Sequence, residues 1–541
     1  MRSSSAPTAV LTACWLGISL WLSAATAYAQ GSSAIQLDAQ LPALAEQEAA
    51  AVLDTLRDLT SVDSGTGQAA GMSVVATQIE NFAKRLGGQV ERMTPANGVA
   101  GPNLVITFKG TGKRRILLIS HMDTVYVAGT AAARPFRRNG NRAIAPGIAD
   151  DKGGIAVFLH TMKLLKARDF QDYERITMVF NSDEERGSAG SRDLIRSQAQ
   201  AHDVVLSGEP TGSQESIVLA TSGVGQMIVR LKVGGPFATA DARPLEELAD
   251  LILRSREAQQ QVPGTRMNWT VARAEDPRTL DKLAPAGQRF ATLNFRITGR
   301  ASHAGVNPAA GINAVVEMAD LIRRTTEAAA AVPGARLHWR SAGGGLVSNI
   351  IADRAHAVAE LALPAGADAA ALLQVLTQRA QHALLPGAQI SADTAEGLTA
   401  QPGGSGEAYA SADMRVPDPA AFAQLSQAAR QRVNQQKFTS SSISVQDGLG
   451  FPAYNASPEG RRLAEMAQGI YAALGGKLEL IPRTYGGTDA VWASQSGKPV
   501  VEGFGLPGGN YHSSEEEFVL IDRIPRRLTL AAEMIRALSR P

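Results

Sequence analysis

Seven histidine and acidic residues, spread over about four hundred positions, adjoin short apolar runs of the sequence. The seven are His121, Asp123, Asp150, Glu184, Glu185, Glu209 and His512. The runs 115–120, 176–180 and 204–206 are rich in strand-forming residues, and members of the set follow each run closely. Open α/β sheets place their chemistry beyond the carboxyl ends of their strands. We therefore expect these side chains to meet at one edge of a sheet.

These residue types are ligands suited to a centre of two zinc ions. Zinc binds imidazole nitrogen and carboxylate oxygen, and a catalytic zinc keeps one position for water. Two metal ions held about 3.5–4 Å apart need a bridging carboxylate and further ligands for each ion. We predict two Zn²⁺ per chain, with Asp150 as the bridge, His121 and Glu209 on one ion, and Glu185 and His512 on the other.

Two neighbours of these ligands are predicted to support the reaction without binding metal. Glu184 would take a proton from the attacking water as the general base. Asp123, two residues after His121, would accept the second ring N–H and fix the tautomer. Each piece alone has an ordinary explanation, because a His-x-Asp string arises by chance and acidic pairs are usually solvated. The consistent order of the whole set favours the catalytic interpretation.

Seven short strings carry a specific resemblance to a known family. They are 121–125 (HMDTV), 147–154 (GIADDKGG), 183–185 (DEE), 302–305 (SHAG), 348–351 (SNII), 486–490 (GGTDA) and 511–513 (YHS). They resemble the zinc aminoacylase and carboxypeptidase family, and most closely its glutamate carboxypeptidase branch, from about residue 45 to the C-terminus with interruptions. The resemblance implies an α/β, zinc-exopeptidase-like catalytic domain with a mixed sheet flanked by helices. It also implies an inserted α+β lid domain and a cis peptide bond between Asp150 and Asp151.

The middle of the chain contains an internal repeat. Segments 247–252 (ELADLI) and 262–266 (VPGTR) return as 317–322 (EMADLI) and 332–336 (VPGAR), at a spacing of 70 residues (333 minus 263). Trp269 and Trp339 keep the same offset. A weaker repeat relates 359–364 to 412–417, each followed by a predicted helix, and convergence of alanine-rich helices is the alternative explanation for that pair.

The repeats predict a lid made of two nested strand-helix-strand copies. The predicted divisions are a signal peptide at 1–29, the first part of the catalytic domain at 30–222, the lid at 223–446 and the second part of the catalytic domain at 447–541. Within the lid, the outer copy is 223–286 and 407–446, and the inner copy is 287–400.

The two copies carry different candidate site residues. The string with His303 stands only in the inner copy, which also holds Asn349, whereas Arg415 stands only in the outer copy. In dimeric members of the family, the resemblance implies that a lid histidine and an asparagine reach the active site from the partner subunit. Here one chain would supply both contributions, which predicts a monomer with a pseudo-dimeric lid.

The lid residues have expected roles in the site. His303 and Asn349 would donate to the developing oxyanion. Arg415 would hold a substrate carboxylate or form a salt bridge with Asp413, and both possibilities stay open at this point. Gly487 and Thr488 of the GGTDA string are further candidates for substrate contact.

The expected reaction is cleavage of the amide bond next to a C-terminal amino acid in a peptide or N-acyl amino acid. A carboxypeptidase and an aminoacylase-type deacylase both fit the motifs. A family member that binds such compounds without turnover is the third possibility, but the intact Glu184 favours an enzyme. Phe451 stands where glutamate-cleaving members have a basic residue, and 210–218 contains no Lys or Arg. Strong selection for an acidic C-terminal residue is therefore not expected.

The N-terminus has the pattern of a targeting segment. Arg2 precedes an apolar run from about 9 to 25, and 27–29 (AYA) is a small-x-small cleavage site. This predicts a periplasmic or secreted protein cleaved near Ala29. A lipoprotein signal ending at Cys14 is disfavoured, because the apolar run continues through Leu22.

Composition excludes some other classes. Cys14 is the only cysteine, so cleavage would leave neither a disulfide nor a thiol. The net charge of +2, from 53 basic and 51 acidic residues, does not indicate nucleic-acid binding. Apart from the targeting segment, no stretch is apolar for long enough to predict a membrane span.

Overall fold

The computed structural model describes residues 37–540 apart from 233–241, 284–287, 364–365, 367, 399–406, 439–441 and 514. The predicted signal peptide at 1–29 lies outside the described residues. Among the residues described, no helix combines the length and apolar character needed to cross a membrane. The described strands form three β-sheets, against which the helices pack.

The catalytic domain is built on an eight-stranded mixed sheet. Its strands are β1 (Gln89–Met93), β2 (Asn103–Lys109), β3 (Arg115–His121), β6 (Arg175–Asn181), β7 (Val204–Ser207), β8 (Ser216–Val218), β17 (Glu479–Ile481) and β18 (Val500–Glu502). Its helices are α1 (Leu41–Thr60), α2 (Ala69–Arg85), α3 (Thr130–Ala133), α4 (Lys152–Ala167), α5 (Arg192–Gln200), α11 (Pro458–Ala473), α12 (Ala490–Ser494) and α13 (Ile524–Ser539). The strand order is β1-β2-β6-β3-β7-β18-β8-β17. This confirms the predicted α/β catalytic domain.

The centre of this sheet explains the apolar runs of the sequence. Strands β6, β3, β7 and β18 run parallel to one another. Parallel strands flanked by helices are buried on both faces, so their sequences are continuously apolar rather than alternating. Leu117, Val179 and Leu206 are accordingly fully buried. Because β3, β6 and β7 are parallel, the residues that follow them emerge at the same edge of the sheet.

A small four-stranded antiparallel sheet lies beside the main one. Its strands are β4 (Arg137–Asn139), β5 (Arg142–Ile144), β19 (Gly508–Gly509) and β20 (Phe518–Leu520), in the order β19-β20-β5-β4. Asp150 lies between β5 and α4, and His512 lies between β19 and β20. These two residues thus follow short strands of the small sheet, whereas His121, Glu185 and Glu209 follow strands of the main sheet. The pairing of β5 with β20 brings their segments together instead.

The lid is a second eight-stranded sheet with helices packed against it. Its strands are β9 (Gly223–Lys232), β10 (Arg266–Glu275), β11 (Arg289–Thr298), β12 (Arg336–Gly344), β13 (Arg354–Leu363), β14 (Gln389–Glu396), β15 (Glu407–Val416) and β16 (Ser442–Phe451). Its helices are α6 (Pro244–Ser255), α7 (Leu280–Leu283), α8 (Ala314–Ala330), α9 (Ala369–Gln381) and α10 (Pro419–Val433). The last strand, β16, crosses the boundary predicted at 446, so the lid sheet extends to Phe451.

The strand order confirms the nested duplication. The strand order is β14-β11-β13-β12-β10-β15-β9-β16. The four strands of the inner copy, β11 to β14, form one half of the sheet, and the four strands of the outer copy form the other half. The halves meet at the antiparallel pair β10 and β12, where Ala272 faces Gly344 and Ala274 faces Ala342. Positions 272 and 342 are equivalent in the 70-residue repeat, as are 274 and 344. A rotation that superposes one copy on the other therefore exchanges these two residue pairs. This places a local twofold axis between β10 and β12, at the centre of the sheet.

Matching ion-pair networks occur in both halves. In each half of the lid, one arginine donates to two acidic residues of its own helix. The same arginine donates to two carbonyl oxygens near the C-terminal end of a second helix, which is α10 in the outer copy and α9 in the inner copy. The outer set is Arg254, Asp250, Glu247, Arg432 and Val433, and the inner set is Arg324, Asp320, Glu317, Arg379 and Ala380. The first three members differ by 70 residues and the carbonyl residues by 53 (432 minus 379). The weaker repeat is therefore a true structural repeat, and convergence of alanine-rich helices does not explain it.

Candidate active site

Asp150 lies between the two histidines of the predicted metal centre. Its Oδ1 is 3.1 Å from Nε2 of His121, and its Oδ2 is 3.2 Å from Nε2 of His512. Oε1 of Glu209 lies 3.5 Å from Nε2 of His121, and Oε1 of Glu185 lies 2.9 Å from Nε2 of His512. The two oxygens of one carboxylate thus point to two different groups of donors, which is the arrangement that a bridging ligand requires.

Two groups of donor atoms are close enough to hold one metal ion each. The groups are His121, Glu184 and Glu209, and Asp150, Glu185 and His512, and within each the ligand atoms lie within 4.8 Å of one another. The structure therefore brings all five predicted ligands together. It also places Glu184, predicted to be the general base, among the donors of the first group.

The charges of this cluster fit bound cations. Burial raises the pKa of the Glu184, Glu185 and Glu209 carboxyls, and neighbouring carboxylates raise it further. Four acidic groups share this space with two imidazole rings, so the ionised cluster has an excess of negative charge. Two divalent cations would balance that charge and favour the ionised ligands. Imidazole nitrogen with carboxylate oxygen is a donor set that suits zinc.

Asp123 lies beneath the cluster and is fully buried. Nδ1 of His121 is 3.0 Å from the carbonyl oxygen of Asp123 and 3.3 Å from Oδ1 of Asp123. The same carboxylate accepts hydrogen bonds from the backbone N–H groups of Glu184 and Glu185, at 3.1 and 3.2 Å. One side chain therefore contacts a ligand ring and orients the acidic pair.

Glu517 holds the segment that carries the bridging candidate. Its Oε1 accepts from the backbone N–H groups of Ala149 and Asp150, and its Oε2 accepts from Gly147 N–H and the Tyr126 hydroxyl, at 2.7 to 3.1 Å. The peptide bond after Asp150 is cis, as the resemblance implied. Glu517 is not among the site residues predicted from the sequence. Its only signal is an acidic residue directly before the apolar strand β20.

Glu517→Gln is expected to weaken metal retention by about 10- to 100-fold, the usual effect of losing a partner that orients a ligand. An amide can present only one acceptor oxygen, so one pair of donors would lose its partner. A chelator competition titration measures the change. Glu516→Gln is the matched control, because the Glu516 side chain is exposed and contacts Arg137 rather than the segment 147–150 that carries Asp150. Equal metal affinity in the two variants would contradict the assignment.

His303 reaches this cluster from the inner half of the lid. Its ring stacks on that of His512, with centroids 4.5 Å apart and an interplanar angle of 4°. Its Nδ1 accepts from the backbone N–H groups of Gly305 and Val306. Burial lowers the pKa of His303 well below its usual value, and the charges of His512 and Arg415 act in the same direction. Because Nδ1 faces two N–H donors, the proton of the neutral ring belongs on Nε2.

Asn349 and Arg415 line the same cleft from the two halves of the lid. The Asn349 carbonyl accepts from Ala304 N–H at 2.8 Å, which ties its segment to that of His303. The side-chain amide of Asn349 has no hydrogen bond within the part of the chain that the structure describes. Arg415 donates to both oxygens of Asp413 at 2.8 Å and to the Tyr485 carbonyl at 3.1 Å. The salt bridge considered from the sequence is thus formed, and Arg415 also borders the cleft.

The remaining predicted residues differ in position. Gly487 lines the cleft next to Phe451, whose ring packs against Trp492 with centroids 5.7 Å apart. Thr488 is buried beneath the wall, where its hydroxyl donates to Glu502 at 3.0 Å. Among the described residues, Thr488 is therefore a structural neighbour of the site rather than part of its surface.

Outer-lid side chains that the sequence analysis missed hold the histidine loop. Asn268 donates to the Ala304 carbonyl at 3.0 Å, and Arg266 donates to the Gly305 and Val306 carbonyls. The guanidinium of Arg266 lies over the Tyr485 ring, 3.5 Å from its centroid. Neither residue type signals this role in the sequence, because it depends on the packing of two lid halves.

One cleft of about 760 Å³ lies between the catalytic domain and the lid, and many of these groups border it. Metal-ligand candidates, including Asp150 and Glu209, form part of its wall, and His303, Asn349 and Arg415 face them from the lid. A cleft of this size accommodates a small molecule or the end of a peptide. The arrangement can bind two cations, a carbonyl group and a carboxylate side by side.

Comparison with known proteins identifies the class. The profile of peptidase family M20/M25/M40 matches residues 117–537. The chain is 35% identical over 513 residues to carboxypeptidase G2 of Pseudomonas sp. (strain RS-16), covering 94% of this chain and 95% of that protein. The chain therefore belongs to peptidase family M20 and is a metallopeptidase.

Solved structures support the fold. Human carnosine dipeptidase 1 superposes with a TM-score of 0.54 at 13% identity, over 93% of this chain and all of that one (100%). The M20 family metallo-carboxypeptidase Sso-CP2 of Sulfolobus solfataricus gives 0.50 at 14% identity, over 91% and 99%. At these identities the likeness concerns the fold alone.

Proposed function

We propose that this chain is an exported two-zinc hydrolase that cleaves the amide bond next to a C-terminal amino acid in a peptide or N-acyl amino acid. The observation that carries the proposal is the position of Asp150, with one carboxylate oxygen toward each histidine and an acidic residue beside each of them. Asp150 would bridge the ions, His121 and Glu209 would complete one site, and Glu185 and His512 would complete the other.

The bound zinc ions would polarise the substrate carbonyl and lower the pKa of the attacking water. Glu184 would take the proton of that water and pass it to the leaving nitrogen. Asp123 would keep the proton of His121 on Nδ1, which leaves Nε2 as the ligand atom. His303, with its proton on Nε2, and Asn349, with its unengaged amide, would donate to the developing oxyanion.

Arg415 would bind the C-terminal carboxylate of the substrate. Its contacts to Asp413 and to the Tyr485 carbonyl fix the guanidinium, which still borders the cleft. A planar guanidinium held in this way is pre-organised for a carboxylate. Gly487 would give the C-terminal residue room, while Thr488 would contribute only by supporting the wall.

Carboxypeptidases and N-acyl amino acid deacylases of the aminoacylase type break the same kind of bond, and this site suits both. A substrate panel separates them. The zinc-loaded protein is incubated with dipeptides and N-acyl amino acids that share a set of C-terminal residues, and the released amino acid is quantified. If no member of either class is hydrolysed, the proposed function is wrong.

Substrates that end in glutamate are expected to be at least about tenfold poorer in kcat/KM than those that end in an apolar or aromatic residue. A second carboxylate beside the buried Phe451 would lie against the apolar rings of Phe451 and Trp492, and an unpaired buried charge is costly. Steady-state kinetics with N-acyl glutamate and the matching N-acyl phenylalanine measure the ratio. Preference for glutamate by more than tenfold would disprove the interpretation of Phe451.

Export to the periplasm or medium is part of the proposal and rests on the N-terminal sequence. The signal pattern ends at Ala29, and the residues that form it are outside those the structure describes. N-terminal sequencing of the exported protein tests it, and an uncleaved N-terminus on the functional protein would oppose it.

A further inference from the structure

Two apolar side chains stand exposed at the mouth of the cleft. Five large apolar residues are exposed among those that the structure describes: Val74, Val127, Leu346, Val375 and Leu384. The most exposed are Leu346, at 77%, and Val127, at 64%, and both line the cleft. Single exposed apolar residues are common on protein surfaces. What calls for an explanation is that both line the same cleft, Leu346 from the lid and Val127 from the catalytic domain.

Both side chains are presented by loops with fixed backbones. Leu346 follows Gly345, which has φ +71°, and a Cβ there would lie 1.9 Å from the Thr270 carbonyl oxygen. Only glycine therefore fits that turn. On the opposite side, the carbonyl of Val127 accepts from Thr130, and Asp63 accepts from the backbone of Gly129 two residues later. The exposure of the two apolar groups is thus built into the local structure.

The proposed binding mode directs the acyl portion of the substrate toward these two residues. In the proposed function, the C-terminal carboxylate lies at the buried Arg415 and the scissile carbonyl at the metal cluster. The part of the substrate on the other side of the scissile bond must then extend toward the mouth. Leu346 also lies three residues before Asn349, so a group bound at the mouth contacts the loop that carries a proposed oxyanion donor.

We propose that Val127 and Leu346 form an apolar clamp for the acyl portion, and that the enzyme prefers substrates with a long or bulky apolar acyl group. The inference rests on the proposed function and adds a specificity at the opposite end of the substrate from Arg415. Burial of apolar surface on the two side chains would supply the preference.

The test compares N-acetyl and N-octanoyl derivatives of one amino acid that the enzyme cleaves. The octanoyl compound is expected to exceed the acetyl compound in kcat/KM by about tenfold or more. The Val127→Ser, Leu346→Ser double variant should lose most of this ratio while its activity on the acetyl compound stays within about twofold. Val74→Ser and Leu384→Ser are matched controls, because these residues are exposed at 45% and 42% but do not line the cleft, and both should keep the ratio.

Calorimetric binding of the same two compounds to the Glu184→Gln protein gives the ratio without turnover. The clamp is supported if the octanoyl compound binds more tightly and this advantage disappears in the triple variant, which combines Glu184→Gln with Val127→Ser and Leu346→Ser. That result would support the clamp even if neither compound is hydrolysed, because absent hydrolysis would count against the proposed reaction alone. Equal binding of the two compounds, or an unchanged ratio in the double variant, overturns the clamp. A changed molar mass of the double variant with an unchanged ratio would also overturn it, because the two residues would then form a protein contact.

Discussion

Glu184→Gln is expected to lower kcat by about 10²–10⁴-fold while the protein retains two metal ions per chain. The amide keeps the size of the side chain but cannot accept the proton of the attacking water. Glu184 is buried, and its backbone N–H is fixed by Asp123, so the substitution should leave its surroundings in place. Steady-state kinetics and elemental analysis of the same preparation measure both properties.

Metal content distinguishes two roles for Glu184. Its carboxylate lies in the same donor group as His121 and Glu209, so it is near enough to be a ligand itself. A general base can be replaced without metal loss, whereas removal of a ligand should cost one ion. Glu184→Asp is the matched control, since it keeps the carboxylate but retracts it by one methylene, and intermediate activity is expected. Near-normal turnover of Glu184→Gln would disprove the assignment, and loss of one ion would make Glu184 a ligand.

His303→Ala is expected to lower kcat by about 10²–10³-fold, the usual effect of removing one donor to an oxyanion. The ring stacks on His512, and its Nδ1 is occupied by two backbone N–H groups, so its Nε2 proton remains for the substrate. Metal content and thermal unfolding of the variant show whether the loss is local. An effect smaller than about threefold on kcat would contradict a role in the reaction.

A mixing experiment tests whether this histidine acts within its own chain. We expect the protein to be a monomer, with a molar mass near that of one chain, 56.8 kDa before any processing. Light scattering measures that mass. Mixing His303→Ala with Glu184→Gln should then restore no activity. In a site shared between chains, the Glu184→Gln chain would lend its His303 to a partner with an intact Glu184, so recovered activity would defeat the monomer proposal.

The sequence predicted the candidate metal ligands because their chemistry is distinctive and three of the segments follow buried apolar strands of the main sheet. His121, Glu185 and Glu209 come from parallel neighbours in the main sheet, as the apolar runs indicated. Asp150 and His512 depend on a different sheet whose strands are only two or three residues long. Strands of that length have no detectable periodicity. Their pairing joins segments more than 370 residues apart, which local patterns do not predict.

The lid shows the same limit. Its duplication was visible as a constant spacing, because helices and strands repeat their residue types in register. Which side chains hold the histidine loop was not visible, since Arg266 and Asn268 act across the junction of the two halves. Likewise, the sequence left Arg415 between a salt bridge and a substrate contact. Only side-chain packing shows that the Asp413 pair forms while the guanidinium remains at the cleft.

The local twofold axis of the lid has a consequence for how the site responds to dilution. When a catalytic group arrives from a second subunit, its concentration at the site depends on the amount of protein, and the site is lost when the subunits separate. His303 belongs to the same chain as the candidate metal ligands it faces, so its effective concentration there is set by the covalent connection. In the expected monomer, the assembled site would thus be independent of how dilute the protein becomes. A protein released outside the cytoplasm, where no concentration is maintained for it, would benefit most from that arrangement.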